Sequence, residues 1–463
     1  MPKFTLFSHY LPAAAKAAFL HLLGISETAS IWDIKTALLV ALLKATFTDP
    51  RPGTLLDSQQ ASLREAKATI PIHLLKVELA LPADTDLKNV AFAAIKRLGS
   101  DRETFTEPTL KSIKAEWVGH RKTLETGDVD GSEAGKFSAL KRDMLNHITI
   151  LYLHGGQFWR MGRSLRKITD SLAKETGGCC FAVQYRLSPQ NPFPAALLDG
   201  LAGYLCLLYP PEGGLHDAVH ANDICFAGDS SGGNLVLALI QLILEIRRPN
   251  GKGGIVWQGS QRELPLPAGV TALSPYNDMT RALDSSERSN YKYDIIPRPG
   301  PPFLGFDRCS IWPASPPRHH VYANDDSLAH PLVSPVTAKD WWGAPPTWIC
   351  VGEECLADQG LLVAQNMASQ GVTVAVEQYQ AMPHNFALIM DHLEASTKCK
   401  AQWASFIRDV VDNPLSIETR ASKWSDRGRT NTKLDIDKLV PISPETLAKN
   451  MHSEIEKWGS PLP

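Results

Sequence analysis

Cysteine is scarce in this chain, with eight among 463 residues, and two of them, Cys179 and Cys180, are adjacent. Such a scatter does not build a disulfide framework. No Asn-x-Ser/Thr acceptor occurs either, so a reducing, cytoplasmic setting is the expectation. Neither sign of charge dominates: 47 Lys and Arg face 49 Asp and Glu, for a net charge of -2. Without a basic excess to neutralise a phosphate backbone, nucleic acid is not an expected partner. Long apolar runs are also missing. The most apolar early segment, Ala37 to Leu43, lies between Lys35 and Lys44 and falls far short of the roughly 18 residues needed to cross a bilayer. The stretch from Leu11 to Leu23 is broken by Lys16 and His21 and reads as a helix rather than a signal peptide. Peripheral membrane contact stays open, while a span does not.

What is present is an ordinary globular balance, 44% hydrophobic and 21% charged, in a chain long enough for a large core. From about Leu11 to Ile113 apolar residues cluster at three-to-four spacing, which predicts a helical layer. From Ile148 onward short apolar, β-rich runs take over: Ile148 to Leu153, Cys179 to Val183, Ile224 to Ala227, Val270 to Leu273, Thr347 to Val351 and Val372 to Val376. Helical patterns separate them, at Ala195 to Leu208, Asn234 to Ile246 and Asp358 to Ser369, and one more runs from Phe386 to Val411. Runs apolar on both sides of the alternation are strands buried on both faces. Their alternation with helices predicts an α/β fold with a mostly parallel sheet flanked by helices. The stretch from Asn277 to Pro346 breaks the rhythm, being dense in proline and aromatics, and predicts an ordered excursion over one end of the sheet. After Asn413 the tail offers one amphipathic candidate, Pro444 to Trp458.

The strongest chemical signal is Gly228-Asp229-Ser230-Ser231-Gly232, a G-x-S-x-G string between a strand and a helix. Small residues at both ends allow a sharp turn that exposes the serine hydroxyl, and the next backbone N–H, from Ser231, opens the helix, where an oxyanion is favoured. A chymotrypsin-like arrangement would put the histidine and acid before the serine, and here a well-placed histidine lies after it. A second signal, His154-Gly155-Gly156-Gln157-Phe158, ends the strand Ile148 to Leu153. Its glycines let backbone N–H groups turn toward a carbonyl oxygen. His154 itself reads as shaping the loop. His384, in Met382-Pro383-His384-Asn385-Phe386, follows a strand and precedes a helix, so it is the expected base. The acid falls in Gly352-Glu353-Glu354-Cys355-Leu356-Ala357-Asp358. Glu354 and Asp358 are both candidates there, and Asp358 has a rival role as a helix N-cap.

Taken together these residues resemble the hormone-sensitive-lipase-like branch of the α/β-hydrolases, and more closely its large fungal members. The resemblance rests on the His154 to Phe158 loop, Tyr185-Arg186-Leu187-Ser188-Pro189, Pro192 to Ala196, and the elbow from Gly228 to Asn234, with Ser231 where alanine is usual. It covers about residues 146 to 412. It implies Ser230 as nucleophile, His384 as base, and the N–H groups of Gly155, Gly156 and Ser231 as oxyanion donors. It aligns Glu354 with the family's aspartate and Cys355 with a proline, which keeps Asp358 open as the acid. Gln157 departs from the commonest third glycine.

The resemblance also implies a helical cap over an α/β-hydrolase core. The expected division is a cap segment at 1–115, core at 116–276, a cap insertion at 277–345, core again at 346–412, and a tail at 413–463. Phe158, Trp159, Tyr276, Phe303, Phe306 and Trp312 are the aromatics expected to line an acyl or alcohol pocket. The expected activity is hydrolysis of short to medium acyl or acetyl esters, of a secondary metabolite or a sterol, through an acyl-enzyme. Acyl transfer, cyclisation or elimination on the same fold is the alternative, and a receptor-like binding module is the alternative of another class. No metal cluster or phosphate-cradling loop is evident, so no cofactor is expected.

Overall fold

A computed structural model describes residues 3–49, 52–64, 72–122, 131–162, 165–248, 253–285, 289–298 and 305–459. Its strands in chain order are β1 (Ile72–Leu79), β2 (Ile113–His120), β3 (Thr149–Leu153), β4 (Cys179–Val183), β5 (Ile224–Asp229), β6 (Gly254–Trp257), β7 (Ser260–Glu263), β8 (Gly269–Leu273), β9 (Thr347–Gly352), β10 (Val374–Tyr379), β11 (Arg420–Ser425) and β12 (Thr430–Lys433). Ten of them form one sheet in the order β1-β2-β4-β3-β5-β8-β9-β10-β11-β12, while β6 and β7 pair by themselves. From β4 through β11 every neighbouring pair is parallel. The margins are antiparallel, with β1 on β2, β2 on β4, and β12 on β11.

The two-faced apolar runs explain the layers. Leu151, Leu153, Phe181, Val183, Phe226, Val270, Ile349 and Val376 point into one core, shared with helices Leu87–Leu98, Ala195–Leu208, Ser231–Arg247 and Ala357–Ala368. Their alternates Ile150, Tyr152, Cys180, Cys225, Leu273, Trp348 and Cys350 point into a second core, against helices Leu165–Thr176 and Glu394–Asp412. Successive strand side chains face opposite sides, so one sheet serves both cores. The parallel strands also bring their carboxyl ends to one edge, which is where the motif-bearing loops emerge.

Three expectations need correction. The segment from Leu11 to Ile113 is not wholly helical, because β1 lies within it and, with β2, joins the sheet. The alternation Leu75-Lys76-Val77-Glu78-Leu79 is a period-two signal that the surrounding helical spacing masks. The tail beyond 412 holds more than its one amphipathic candidate: β11 pairs in parallel with β10, and Val440, Leu447, Met451 and Trp458 are buried in the first core. Finally, the helical pattern from Phe386 to Val411 is two helices, Phe386–Ile389 and Glu394–Asp412. Between them Asp391 pairs with Lys400 at 3.0 Å and His392 bonds the Thr36 hydroxyl at 3.1 Å.

The residues before β1 reach the loops at the sheet edge. Trp32 Nε1 donates to the Ala381 carbonyl at 2.7 Å, and Gln59 Nε2 donates to the Trp159 and Ser188 carbonyls at 2.7 and 2.9 Å. Among the described residues of the 277–345 excursion, Leu328, Leu332, Val333 and Trp341 are fully buried against the core. Because Met451 is 1% exposed, Met451→Ala should destabilise the whole protein by about 2 to 5 kcal/mol. Urea denaturation followed by tryptophan fluorescence measures this, and an unchanged midpoint would mean that the tail does not belong to the cooperative core.

Candidate active site

Ser230 follows β5 directly and stands as the cap residue of the helix Ser231–Arg247, with φ 52° and ψ -118°. A serine in that region is strained and persists only where its surroundings over-determine it. Here its N–H donates to the Leu273 carbonyl at 2.9 Å, and its carbonyl accepts from the Tyr276 N–H at 3.0 Å and the Asn234 N–H at 3.0 Å. The glycine that follows is obligatory, since a Cβ on Gly232 would stand 1.9 Å from the Leu153 carbonyl oxygen.

His384 and Glu354 arrive from the ends of β10 and β9. The His384 imidazole lies between the other two side chains: its Nδ1–H donates to Glu354 Oε2 at 3.0 Å, and its Nε2 accepts from the Ser230 hydroxyl at 2.9 Å. All three are buried, at 5% exposure for Ser230, 8% for His384 and 0% for Glu354. Asp358 is turned elsewhere, its Oδ2 accepting from the Ser285 N–H at 2.8 Å. It is not the N-cap of its helix, a position held by Leu356. Of the two candidate acids, only Glu354 meets the imidazole.

The glycine loop is arranged differently from expectation. The Gly155 N–H donates to Asp229 Oδ1 at 3.0 Å, so it is already engaged with a carboxylate. A Cβ on Gly155 would come 2.2 Å from Asp229 Oδ2, so only glycine allows this approach. The N–H groups of Gly156, Gln157 and Ser231 carry no hydrogen bond among the described residues, and Gln157 holds a left-handed φ of 56°. His154 donates from Nδ1 to the Gly155 carbonyl at 2.7 Å and stacks on Tyr185. Burial lowers its pKa, leaving a neutral ring that shapes the loop.

Motif reading alone passed over Asp229, the second residue of the elbow. Its Oδ1 accepts from the Tyr152 hydroxyl at 2.7 Å as well as from Gly155, and its Oδ2 accepts from Asn385 Nδ2 at 3.0 Å. One carboxylate thus ties the elbow to the glycine loop and to the histidine loop. The aromatics divide. Phe158 is fully buried and stacks on Tyr322 with centroids 3.7 Å apart. Trp159 and Trp312 are spent in a small core with Leu55 and Val321, against which half-buried Phe306 packs. Tyr276 is half-buried beside Ser230, and Phe303 lies outside the described residues.

A family model described as the alpha/beta hydrolase fold matches residues 150–388, more than half of the 463. The chain belongs to the α/β-hydrolase fold family. An acetyl-hydrolase of Streptomyces hygroscopicus is 28% identical over 239 residues, covering 51% of this chain and 67% of that protein. Esterase LipU of Mycobacterium tuberculosis is 30% identical over 270 residues, covering 57% of this chain and 78% of that protein. Among solved structures, an esterase from the bacterial hormone-sensitive lipase family aligns with a TM-score of 0.53 at 20% identity, over 82% of this chain and 99% of its own. A mutant of the esterase E40 aligns with a TM-score of 0.54 at 21% identity, over 81% and 97%. At such identities the structural likeness shows the fold. In this α/β-hydrolase the matched span takes in the glycine loop, Ser230, Glu354 and His384, and leaves β1, β2, β11 and β12 outside.

The electrostatics of the α/β-hydrolase site follow from its burial. Burial opposes charge on the His384 ring, but Glu354 first, then Asp294 and Asp229, outweigh it, and the pKa is raised. Burial also lifts the Glu354 carboxyl, against the pull of His384. A raised pKa means that the imidazole holds its proton to a pH above the ordinary value of about 6.5 and becomes a proton acceptor only beyond it. We expect imidazole ¹⁵N NMR, assigned against His384→Gln, to show His384 titrating above about 6.5. In Glu354→Gln that titration should move to lower pH, because the cost of burying a charged ring then goes unopposed by its nearest carboxylate. A titration unmoved in that variant would reject the pairing.

Proposed function

We propose that this α/β-hydrolase is a carboxylic ester hydrolase in which Ser230 is the nucleophile, His384 the general base and Glu354 the acid that orients it. The observation that carries the reading is the unbroken chain from hydroxyl through imidazole to carboxylate, with contacts of 2.9 and 3.0 Å. The names of the acetyl-hydrolase and esterase relatives point the same way.

The reaction follows from the donor and acceptor roles. Ser230 Oγ attacks the ester carbonyl carbon while its proton passes to His384 Nε2. Glu354 balances the imidazolium, and the carbonyl oxygen, now an oxyanion, takes hydrogen bonds from the free N–H groups of Ser231, Gly156 and Gln157. The carbon–oxygen bond to the alcohol then breaks, His384 returning its proton to the leaving oxygen, and the acyl group stays on Oγ. Water attacks this acyl-enzyme, giving its proton to Nε2, and the carboxylic acid leaves as Ser230 recovers its hydrogen. Gly155 has no part in oxyanion binding in this scheme, since Asp229 occupies its N–H.

Substrates in this reading are short to medium acyl or acetyl esters of a small molecule such as a secondary metabolite or sterol. The packing of Phe158, Trp159 and Trp312 into the core leaves Tyr276 and Phe306 as the half-buried aromatics of the set among the described residues, which suits a modest acyl group. The segment before β1 and the excursion at 277–345 are the proposed cap, given their contacts with the loops at the sheet edge.

Ser230→Ala should lower turnover of p-nitrophenyl butyrate on the order of a million-fold, as loss of the nucleophile does in a comparable triad. Retention of wild-type rates would reject the reading. Glu354→Gln keeps a side chain of the same shape but removes the charge, and we expect kcat to fall on the order of 10⁴-fold by analogy with the comparable acid-to-amide change. Asp358→Asn measured alongside should fall by less than a tenth of that factor.

A further inference from the structure

Asp294 sits in the excursion, far in sequence from each proposed triad member, and is fully buried. Its Oδ1 accepts from the His384 N–H at 2.9 Å and from the Ile295 N–H at 2.7 Å. Its Oδ2 accepts from the Cys355 N–H at 2.6 Å. One carboxylate therefore bonds the backbone of the base itself and the backbone of the residue that follows the acid. The same segment clasps the acid turn at further points. Asn290 Nδ2 donates to the Glu354 carbonyl at 3.0 Å, and the Ser285 hydroxyl donates to the Cys355 carbonyl at 3.1 Å.

The chemistry demanded at this point is specific. Three N–H donors converge on two oxygens of one side chain, which only a carboxylate can accept at both ends. An amide of the same shape would turn an NH₂ group toward one of those donors, leaving two N–H groups opposed in a buried space, at the full cost of an unsatisfied polar contact. The β9 and β10 loops also meet where the Ala381 N–H donates to Glu353 Oε2 at 2.8 Å, but Asp294 is the contact made at His384 itself, and a displacement of about 1 Å at a catalytic group can lower turnover on the order of 100-fold.

We propose that Asp294 is a positioning residue, whose buried carboxylate clamps the His384 loop to the Glu354–Cys355 turn and so fixes the imidazole between acid and nucleophile. The inference rests on the reading of Ser230, His384 and Glu354 as a triad. The charged groups around the imidazole are Glu354, Asp294 and Asp229, and those influencing Asp294 and Cys355 from neighbouring elements are Lys44 and Arg281. Loss of the Asp294 charge removes one of three carboxylates that favour a protonated ring, so the pH at which His384 becomes a base must fall.

The test compares Asp294→Asn with wild type and with Ser285→Ala, a variant that weakens the same clasp without changing charge. Kinetics with p-nitrophenyl butyrate across pH, on protein shown to be folded by circular dichroism, give the readout. The expected result for D294N is a kcat lower by about 10 to 100-fold, KM within about twofold, and an acid limb of kcat/KM displaced to lower pH. In S285A the limb should stay in place. A purely architectural role would lower the melting temperature of D294N and leave kcat and the limb as in wild type, and that result overturns the proposal.

Should D294N fail to fold, Cys355→Pro removes one N–H donor and keeps the carboxylate charge. It should lower kcat with no movement of the limb, and an unchanged kcat would overturn the clamp. Full activity in Ser230→Ala would instead remove the triad reading itself. An inactive S230A beside a wild-type-like D294N would remove only the role of Asp294.

Discussion

Everything at this site turns on one imidazole held between a hydroxyl and a carboxylate that come from different strand ends. A serine hydroxyl is a poor nucleophile unless its proton has somewhere to go, and in the proposed mechanism the 2.9 Å contact with His384 Nε2 provides it. That contact forms only if the ring is fixed in one tautomer, which the 3.0 Å bond from Nδ1–H to Glu354 does. The sheet makes the meeting achievable: β5, β9 and β10 run parallel, so the loops after them open at one edge. The fold contributes proximity, and the side chains contribute direction.

Holding the groups together brings carboxylates into a space that excludes water, a placement that costs heavily unless each oxygen is satisfied. Asp229 and Asp294 meet that demand with hydrogen bonds, chiefly from backbone amides, and in doing so fasten loops to one another. Their charge has a second effect. Together with Glu354 they offset the penalty of burying a positive ring, so the environment that fixes the imidazole also stabilises its protonated form. Geometry and electrostatics are supplied here by the same atoms.

Much of this was legible in the sequence because it is local. Two-faced apolar runs predicted the parallel strands, and the Gly228 to Gly232 string placed Ser230 between a strand and a helix. What stayed hidden is non-local. Strand β11, Arg420–Ser425, is mostly polar and becomes a strand by pairing with β10 and β12, so no apolar periodicity announces it. The choice between Glu354 and Asp358 needed the direction of each side chain, since both sit near the end of β9. Asp294 carries no motif of its own and acts through backbone amides 61 and 90 residues away. Gly155 stayed hidden for a related reason: the glycine spacing shows that N–H groups can turn, and the partner each one finds depends on a carboxylate elsewhere in the chain.

The central claim is that Ser230 is activated as a nucleophile by His384. Peptide mapping by mass spectrometry after reaction with a fluorophosphonate measures this most directly, because the reagent bonds to an activated hydroxyl and reports where. The account predicts one equivalent of adduct, on Ser230, formed at a rate that collapses in His384→Gln. An adduct on another residue, or none on folded protein, would contradict it.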